Sequence, residues 1–199
     1  MKKKTQPKVW TTKTYNRLSR YYDTFMKLFF PIGEKGRERI VDKMESGSVL
    51  DVACGTGTLL EMANKKGLKC YGIDISEGML AQAKRKVPDA ETKQASYYEI
   101  PYPDESFDYV VATNALSGDF IDARKVLSEM IRVCKGSGGI YIAEWPKPPK
   151  DTFVERVVIW FASLTDDAPK DYLEIFREMG YEPEIDILSK RYHVYGIRK

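Results

Sequence analysis

The sequence predicts a doubly wound α/β fold, in which a largely parallel sheet carries helices on both faces. Three observations predict it: strand-like and helix-like segments alternate after residue 48, the strand-like segments are short apolar runs, and the first of them ends in a glycine-rich turn. Continuous apolar runs are typical of parallel strands that are buried on both faces. Alternating strands and helices with right-handed connections build a doubly wound sheet.

The first part of this pattern supplies three strands and two helices. The strands are predicted at 49–52, 70–73 and 92–95, and the helices at 58–63 and 78–87. The second helix must end before Pro88, because proline lacks a backbone N–H and its ring clashes with the preceding turn.

The second part supplies the remaining strands and two more helices. An apolar strand is predicted at 107–112, another follows the Gly138-Gly139 pair at 140–143, and 184–188 with 192–197 is typical of a terminal hairpin. One helix is indicated by apolar residues at helical spacing, which are Val126, Leu127, Met130, Ile131 and Cys134. The other is expected to open at Pro169, to continue through Leu173, Phe176 and Met179, and to be capped by Gly180.

The turn after the first strand predicts a nucleoside-binding site. Gly55 and Gly57 fall between a strand and a helix, where glycine permits positive φ and lets the backbone approach a ligand. The start of the helix offers N–H groups that have no partner within the helix. About twenty residues further on, Asp74 ends the next strand and can accept both hydroxyls of a ribose.

Two residues favour a ligand without a pyrophosphate. The third glycine of the dinucleotide motif is replaced by Leu60, which argues against a dinucleotide. Asp51, just before the turn, would repel a diphosphate but can hold an ammonium group directly or through water. S-adenosylmethionine fits both observations, because it offers an amino-acid moiety, a ribose diol and a sulfonium between them.

Four segments together resemble the class I S-adenosylmethionine-dependent methyltransferases, in particular the group of ubiquinone and menaquinone C-methyltransferases and small phospholipid N-methyltransferases. They are VLDVACGTG at 49–57, GIDIS at 72–76 with Met79-Leu80 after it, IPYPDESFDYVVA at 100–112 and GGIYIAE at 138–144. The resemblance implies a Rossmann-like, seven-stranded sheet that is mostly parallel. It also implies an antiparallel C-terminal edge hairpin and an N-terminal helical lid.

The resemblance also implies roles for individual residues of this chain. Asp51, Gly55 and Gly57 would surround the methionine moiety, and Ala53 would also bind the cofactor. Asp74 would hold the ribose, Ile75 and Met79 would contact the adenine, and Ser96 and Tyr97 would lie beside the adenine edge. Asn114 would lie under the sulfonium. Tyr21, Tyr22 and Asp23 would lie near the transferred methyl group.

Length and composition predict a single domain at 1–199. Within it we expect N-terminal helices or a lid at 1–45, a cofactor-binding core at 46–145, and substrate-side helices with the terminal hairpin at 146–199. Hydrophobic residues make up 43% and charged residues 31%, which is ordinary for a globular protein. A net charge of +3 does not favour a nucleic-acid partner.

Cysteine usage and chain ends predict a cytoplasmic protein. Cys54, Cys70 and Cys134 are odd in number and lack metal-ligand spacing, which indicates free thiols and no metal site. Lys2, Lys3 and Lys4 are expected to form a solvated terminus, and the pattern of a signal peptide is absent. Whether the chain is a monomer or a homodimer is left open.

Two segments are candidates for the acceptor pocket. In the N-terminal helix, one face is apolar: Tyr15, Leu18, Tyr22, Phe25 and Phe29. This face either covers the cofactor as a lid or packs the helix onto the sheet edge. The segment 153–164 is more apolar than one helix face requires. It either lines a pocket for an apolar acceptor, contacts a membrane surface, or forms a core or dimer-contact helix.

The expected function is methyl transfer from S-adenosylmethionine to a small-molecule or lipid-like acceptor; the alternative is a non-catalytic S-adenosylmethionine-binding protein. Positioning supplies most of the catalysis in such a reaction, so a catalytic triad is not required.

The candidate bases for an acceptor that loses a proton are Asp23, Asp119, Glu144 and His193. After the fourth strand, Asn114-Ala115-Leu116 lacks the polar, double-proline and aromatic pattern that holds a flipped base, which argues against nucleic acid.

Overall fold

The computed structural model describes residues 12–29, 31–118, 121–146, 170–190 and 192–199. The helices are α1 Thr12–Phe29, α2 Ile32–Asp42, α3 Thr58–Lys65, α4 Glu77–Lys86, α5 Ala123–Val133 and α6 Tyr172–Glu178. The strands are β1 Ser48–Val52, β2 Lys69–Asp74, β3 Glu91–Gln94, β4 Phe107–Thr113, β5 Cys134–Glu144, β6 Glu184–Ser189 and β7 Tyr192–Arg198.

All seven strands pair in one sheet in the order β3-β2-β1-β4-β5-β7-β6. Neighbours from β3 to β5 are parallel, whereas β7 is antiparallel to both β5 and β6. The predicted fold class, a mostly parallel seven-stranded sheet with an antiparallel C-terminal hairpin, is therefore confirmed. Strands β2 and β3 lie on one side of β1, and β4 and β5 lie on the other, so the strand order reverses between β1 and β4. At such a point a crevice opens beyond the carboxyl ends of the two strands.

The two faces of the sheet bury separate apolar clusters. Along β1 and β4, Leu50 and Val110 pack with α5 and α6 on one face, while Val49 and Val111 pack with α2 and α3 on the other. This alternation follows from the two-residue period of a strand. Both faces of the central strands are apolar, which explains why these strands appear in the sequence as continuous hydrophobic runs.

Two predicted boundaries are wrong. The last parallel strand was expected at 140–143, but β5 begins at Cys134, which was expected on the preceding helix. The earlier start is stabilised by pairing, since Cys134 lies opposite Phe107 of β4. The later helix begins at Tyr172 and not at Pro169, because the Asp171 side chain accepts a hydrogen bond from the Glu174 N–H and caps it.

Several expectations concern residues outside the described part. Pro169 itself, Asp119 and the apolar segment 153–164 lie there, as do Lys2, Lys3 and Lys4. Within the described residues, no helix combines the length and apolar character that crossing a bilayer requires.

Helix α2 approaches the sheet closely because Gly36 has no side chain where the ring of Tyr192 leaves no room for a Cβ atom. A Cβ on Gly36 would lie 2.5 Å from Cε1 of Tyr192. Tyr192 is fully buried on β7 and its ring meets that of Trp145 edge-on. The small residue therefore sets the distance between α2 and the sheet, and with it the position of the α2 side chains at the crevice.

Gly36→Ala should destabilise the protein. Helix propensity alone would favour alanine by about 1 kcal/mol, but overpacking a buried contact costs about 1–3 kcal/mol, so we expect a net loss in the free energy of unfolding. Denaturant unfolding measures it. Gly136→Ala is the matched control, since a Cβ there meets its nearest atom at 3.7 Å. Equal stability of the two variants would contradict the close-approach explanation.

Candidate active site

The predicted site residues come together at the carboxyl edge of the parallel strands. Asp51 lies near the end of β1, Asp74 is the last residue of β2, and Asn114 directly follows β4. β1 lies between β2 and β4 in the sheet. The three side chains therefore flank the crevice at the point where the strand order reverses.

The turn between β1 and α3 has the backbone that its glycines predict. Gly55 has φ +53° and Gly57 has φ +77°, and Ala53 also adopts a positive φ, of +58°. A Cβ on Gly57 would lie 2.8 Å from Cβ of Ala83 on α4, whereas one on Gly55 would meet nothing within 4 Å. Gly57 is thus needed for packing, and Gly55 leaves open space on the ligand side of the turn.

Asp74 ties the turn to the end of β2. One carboxylate oxygen accepts the Gly55 N–H at 2.9 Å and the other accepts the Ser76 N–H at 2.8 Å. Burial raises the pKa of this carboxyl, and the N–H donors oppose that rise. Each oxygen keeps acceptor capacity for a further donor, such as a ribose hydroxyl.

Asp51 is a buried carboxyl group at the crevice with a raised pKa. Its side chain is 2% exposed, and Oδ1 has no hydrogen-bond partner among the described residues. Burial raises its pKa from 3.8 to about 7, with the charge of Arg37 on α2 lowering it and that of Asp74 raising it further. A buried carboxylate without a donor is costly, so this oxygen is suited to a cationic ligand group.

Asn114 presents a second buried oxygen at the crevice. Its backbone is in the left-handed region at φ +53°, and its N–H donates to the Ala143 carbonyl at 2.9 Å. Its side-chain amide hydrogen-bonds Tyr192 and lowers the pKa of that phenol in opposition to burial, which raises it overall. Oδ1 of Asn114 has no hydrogen-bond partner within the described part of the chain.

The predicted adenine contacts lie beyond β2 and β3. Ile75 is 46% exposed, and Met79 is buried on the first turn of α4. Ser96 and Tyr97 follow β3, whose continuation is held by the Ala95 N–H donating to the Asp74 carbonyl. An exposed isoleucine next to Asp74 offers an apolar surface where a base attached to the ribose would lie.

Helix α1 is attached to this site through polar side chains. Asn16 Oδ1 accepts hydrogen bonds from the Ser76 hydroxyl at 2.6 Å and from the Gly78 N–H at 2.9 Å. Gly78 is essential to that contact, because a Cβ there would lie 2.8 Å from the Asn16 backbone.

The second attachment of α1 is Asp23, which touches the glycine turn. Its carboxylate accepts the Thr56 hydroxyl at 2.5 Å and lies 2.6 Å from Nζ of Lys86 at the end of α4. Of its predicted companions, Tyr22 is half-buried and meets Tyr15 edge-on, whereas Tyr21 is 72% exposed. Among Tyr21, Tyr22 and Asp23, the structure thus brings Asp23 to the turn and leaves Tyr21 on the surface.

The described candidate bases are engaged by other groups. Asp23 is paired with Lys86, and Glu144 is fully buried and accepts the N–H groups of Ala115 and Leu116. The ring of His193 lies 3.3 Å from the Tyr195 hydroxyl, and burial lowers its pKa.

A cavity of about 620 Å³ lies beside α1 and α3. Its charged residues are already paired: Lys86 with Asp23, Lys65 with Glu61, and Lys27 with Glu34. This lining does not favour an apolar ligand, and the two orphaned oxygens of Asp51 and Asn114 point to the crevice as the site. Within the described residues, acidic, cysteine and histidine side chains form no cluster of three that could hold a metal ion.

Sequence patterns did not indicate three residues that shape the site. The charge of Arg37 on α2 lowers the pKa of Asp51, Asn16 on α1 hydrogen-bonds the start of α4, and Lys86 at the far end of α4 hydrogen-bonds Thr56 in the turn. Each acts across a long sequence separation and belongs to no local motif. Only the charge of Arg37, unusual on an inward helix face, could have served as a signal.

Residues 49–138 match the family described as "Methyltransferase domain". The demethylmenaquinone methyltransferase of Bacillus mycoides is 34% identical over 73% of this chain and 65% of its own length. That of Paenarthrobacter aurescens is 36% identical over 77% of this chain and 64% of its own length. The chain therefore spans just under two thirds of the length of these relatives.

Solved structures share the fold. The complex of DhpI with SAM and HEP has a TM-score of 0.73 at 18% identity, over 94% of this chain and 95% of that one. A SAM-dependent methyltransferase from Aquifex aeolicus has a TM-score of 0.61 at 22% identity, over 94% and 97%. The predicted resemblance is confirmed: residues 49–138 match a methyltransferase family, and the chain shares its fold with solved S-adenosylmethionine-dependent methyltransferases.

Gly78→Ala should displace α1 from the site. The added methyl group cannot fit against the Asn16 backbone, so the hydrogen bonds of Asn16 should be lost and the amides of α1 should exchange faster. Hydrogen exchange of residues 12–29 measures this. Glu77→Ala, which removes a neighbouring exposed side chain, is the control. Unchanged protection of α1 in Gly78→Ala would show that this contact does not hold the helix.

Proposed function

We propose that this chain transfers the methyl group of S-adenosylmethionine to a small, apolar acceptor of the quinone class. The observation that carries the proposal is the pair of carboxylates at the ends of β1 and β2, set on either side of an open glycine turn. One carboxylate has acceptor capacity for a ribose diol, and the other has a buried oxygen that lacks a donor.

The donor set of the crevice fits S-adenosylmethionine group by group. Asp51 would accept the ammonium group, and Arg37, close enough to lower the pKa of Asp51, would compensate the methionine carboxylate. Asp74 would hold the ribose, with Ala53, Gly55 and Gly57 lining the turn. Ile75, Met79, Ser96 and Tyr97 would line the adenine side.

When bound, S-adenosylmethionine supplies an electrophilic methyl group, which the acceptor takes in line as the carbon–sulfur bond breaks and its electron pair remains on sulfur. The protein's part is to fix the two reactants and to exclude water; such positioning is worth roughly 7–11 kcal/mol. Asn114 would form the floor below the reacting centre. Tyr22 would favour the cation through its ring by about 0.5–2 kcal/mol, with Tyr21 and Asp23 on the same side.

The names of the relatives support a quinone acceptor, since they are demethylmenaquinone methyltransferases. A ring carbon of a reduced quinone is nucleophilic and loses a proton after methylation. Because Asp23 and Glu144 are engaged by other groups, we infer that this proton is released to solvent. A phospholipid amine and a small metabolite are the competing acceptors.

Contact of the protein with a membrane surface, from which a lipid-like acceptor could be taken, stays a prediction. The exposed side of α1 combines Leu18, Tyr21 and Leu28 with Arg17 and Arg20, a pattern that suits contact with an anionic membrane surface. The cytoplasmic location, the choice between monomer and homodimer, and the single-domain division at 1–45, 46–145 and 146–199 are likewise expectations.

A labelled-methyl assay tests the function. The hydroquinone of a short-chain demethylmenaquinone should accept the label, whereas the same compound with its ring position already methylated should not. Phosphatidylethanolamine vesicles probe the amine alternative. S-adenosylmethionine binding without transfer to any of these acceptors would favour a non-catalytic protein.

Asp74→Ala should weaken S-adenosylmethionine binding by more than about tenfold, or roughly 1.4 kcal/mol. The reason is that a charged acceptor of ribose hydroxyls and of the Gly55 N–H is lost. Calorimetry measures the affinity, and Asp89→Ala, an exposed carboxylate outside the crevice, is the control. Equal affinity in both variants would remove Asp74 from the site.

Asp51→Asn should stabilise the protein without ligand while weakening cofactor binding. Because the folded pKa of about 7 exceeds the ordinary 3.8, the folded state of the wild type binds more protons between these values. Its stability therefore falls as pH rises from about 4 to 7. The gain in melting temperature from Asp51→Asn should be larger at pH 8 than at pH 5.

Asp108→Asn is the control for this pH dependence. Burial raises the pKa of Asp108, but hydrogen bonds from Lys135 and Ser48 outweigh it and hold the pKa at about 2. Asp108 is thus charged at both pH values, and its variant should lose the same stability at each. A pH-independent effect of Asp51→Asn would mean that Asp51 is not a buried, uncompensated carboxylate.

A further inference from the structure

The backbone loop after β4 is held by a buried carboxylate at the end of β5. Oε1 of Glu144 accepts the Ala115 N–H at 2.5 Å and the Leu116 N–H at 2.7 Å, and Oε2 accepts the Ser117 hydroxyl at 3.1 Å. Glu144 is completely buried. These are charge-assisted hydrogen bonds, which are shorter and stronger than neutral ones.

A cation holds the same loop through its carbonyl groups. Nζ of Lys170, just before α6, donates to the Leu116 carbonyl at 2.9 Å and to the Gly118 carbonyl. Lys170 also belongs to a short parallel bridge with Pro146, two residues after Glu144. The loop 114–118 is therefore fixed from its N–H side by an anion and from its carbonyl side by a cation.

This loop begins with Asn114, the residue with the orphaned oxygen and the left-handed backbone. Fixing Ala115 and Leu116 fixes the plane of the peptide that follows Asn114, and the Asn114 N–H is itself tied to Ala143. A shift of the loop would thus move the floor of the crevice on the acceptor side and leave the turn after β1 untouched.

We propose that Glu144 is a positioning residue, whose carboxylate sets the loop 114–118 and through it the acceptor side of the crevice, with Lys170 as its counterpart. The inference rests on the proposed function, because it assigns the acceptor to that side. Glu144 then has no part in proton transfer, since both of its oxygens already receive donors from the loop.

The test compares three variants of the full chain with the hydroquinone probe. Glu144→Gln keeps an acceptor oxygen for the two N–H groups, and its amide can donate to the Ser117 hydroxyl. Glu144→Leu keeps the bulk but leaves the donors without an acceptor. Ser117→Ala is the matched control, because it removes only the longest of the three hydrogen bonds.

Positioning predicts that Glu144→Gln retains kcat and its pH profile, while Glu144→Leu raises KM for the hydroquinone by about tenfold or more, a loss of roughly 1.4 kcal/mol. Affinity for S-adenosylmethionine, measured by calorimetry, should be unchanged in both. Loss of a general base would instead lower kcat of Glu144→Gln by about 10²–10⁴ and alter its pH profile, which would overturn the inference.

Lys170→Met covers the case in which Glu144→Leu fails to fold. It retains the length of the side chain but loses the donor to Leu116 and Gly118, and it should likewise raise KM for the hydroquinone with unchanged cofactor affinity. Unchanged KM in Lys170→Met or in folded Glu144→Leu would refute the positioning role. A wild-type chain that binds no S-adenosylmethionine or transfers no methyl group would instead refute the proposed function.

Discussion

The site depends on one electrostatic constraint, a carboxyl group buried near the end of a central strand, one oxygen of which has no hydrogen-bond partner among the described residues. Asp51 lies between β2 and β4, where neighbouring backbone groups are consumed by strand pairing. Desolvation outweighs the favourable charge of Arg37 and brings its pKa to about 7. Such an arrangement is unfavourable for folding alone. Under the proposed function the ammonium group of the cofactor would compensate this carboxylate, so stability and ligand binding would compete at Asp51.

The N-terminal helix extends this dependence on polar contacts. Among the described side chains of α1, Asn16 forms hydrogen bonds with the start of α4 and Asp23 forms one with the glycine turn. Its most buried described side chain is Ser19. Hydrogen bonds between exposed or half-buried groups contribute only about 0.5–1.5 kcal/mol each. The hydrogen bonds of Asn16 therefore make a modest contribution to the attachment of α1.

Local patterns were sufficient for the strands of the core and for the backbone of the glycine turn after β1. Residues 49–52 and 107–112 are continuous apolar runs because both faces of β1 and β4 are covered, and Gly55 and Gly57 identify a turn that only positive φ can make. Sequence patterns failed where pairing with neighbouring strands determines whether a segment forms a strand. The segment from Cys134 to Gly139 contains three glycines and no strand signal, yet β4 and β7 extend β5 through it. Arg37, Lys86 and the role of Glu144 depend on contacts that join distant segments, and no local spacing encodes them.

Two buried carboxylates at the same edge of the sheet differ in their hydrogen-bond donors, and this difference separates a structural role from a proposed binding role. Glu144 and Asp51 are both removed from water, on β5 and β1, but Glu144 is surrounded by N–H and hydroxyl donors whereas Oδ1 of Asp51 has none among the described residues. A carboxylate whose oxygens are supplied with donors lowers the free energy of the folded chain and fixes the backbone that supplies them. A buried carboxylate oxygen that lacks a donor raises the free energy of the folded chain, and under the proposed function the ammonium group of the cofactor would supply that donor. The number of hydrogen-bond donors on each buried acid therefore distinguishes Glu144, which fixes the loop 114–118, from Asp51, which we propose binds the cofactor.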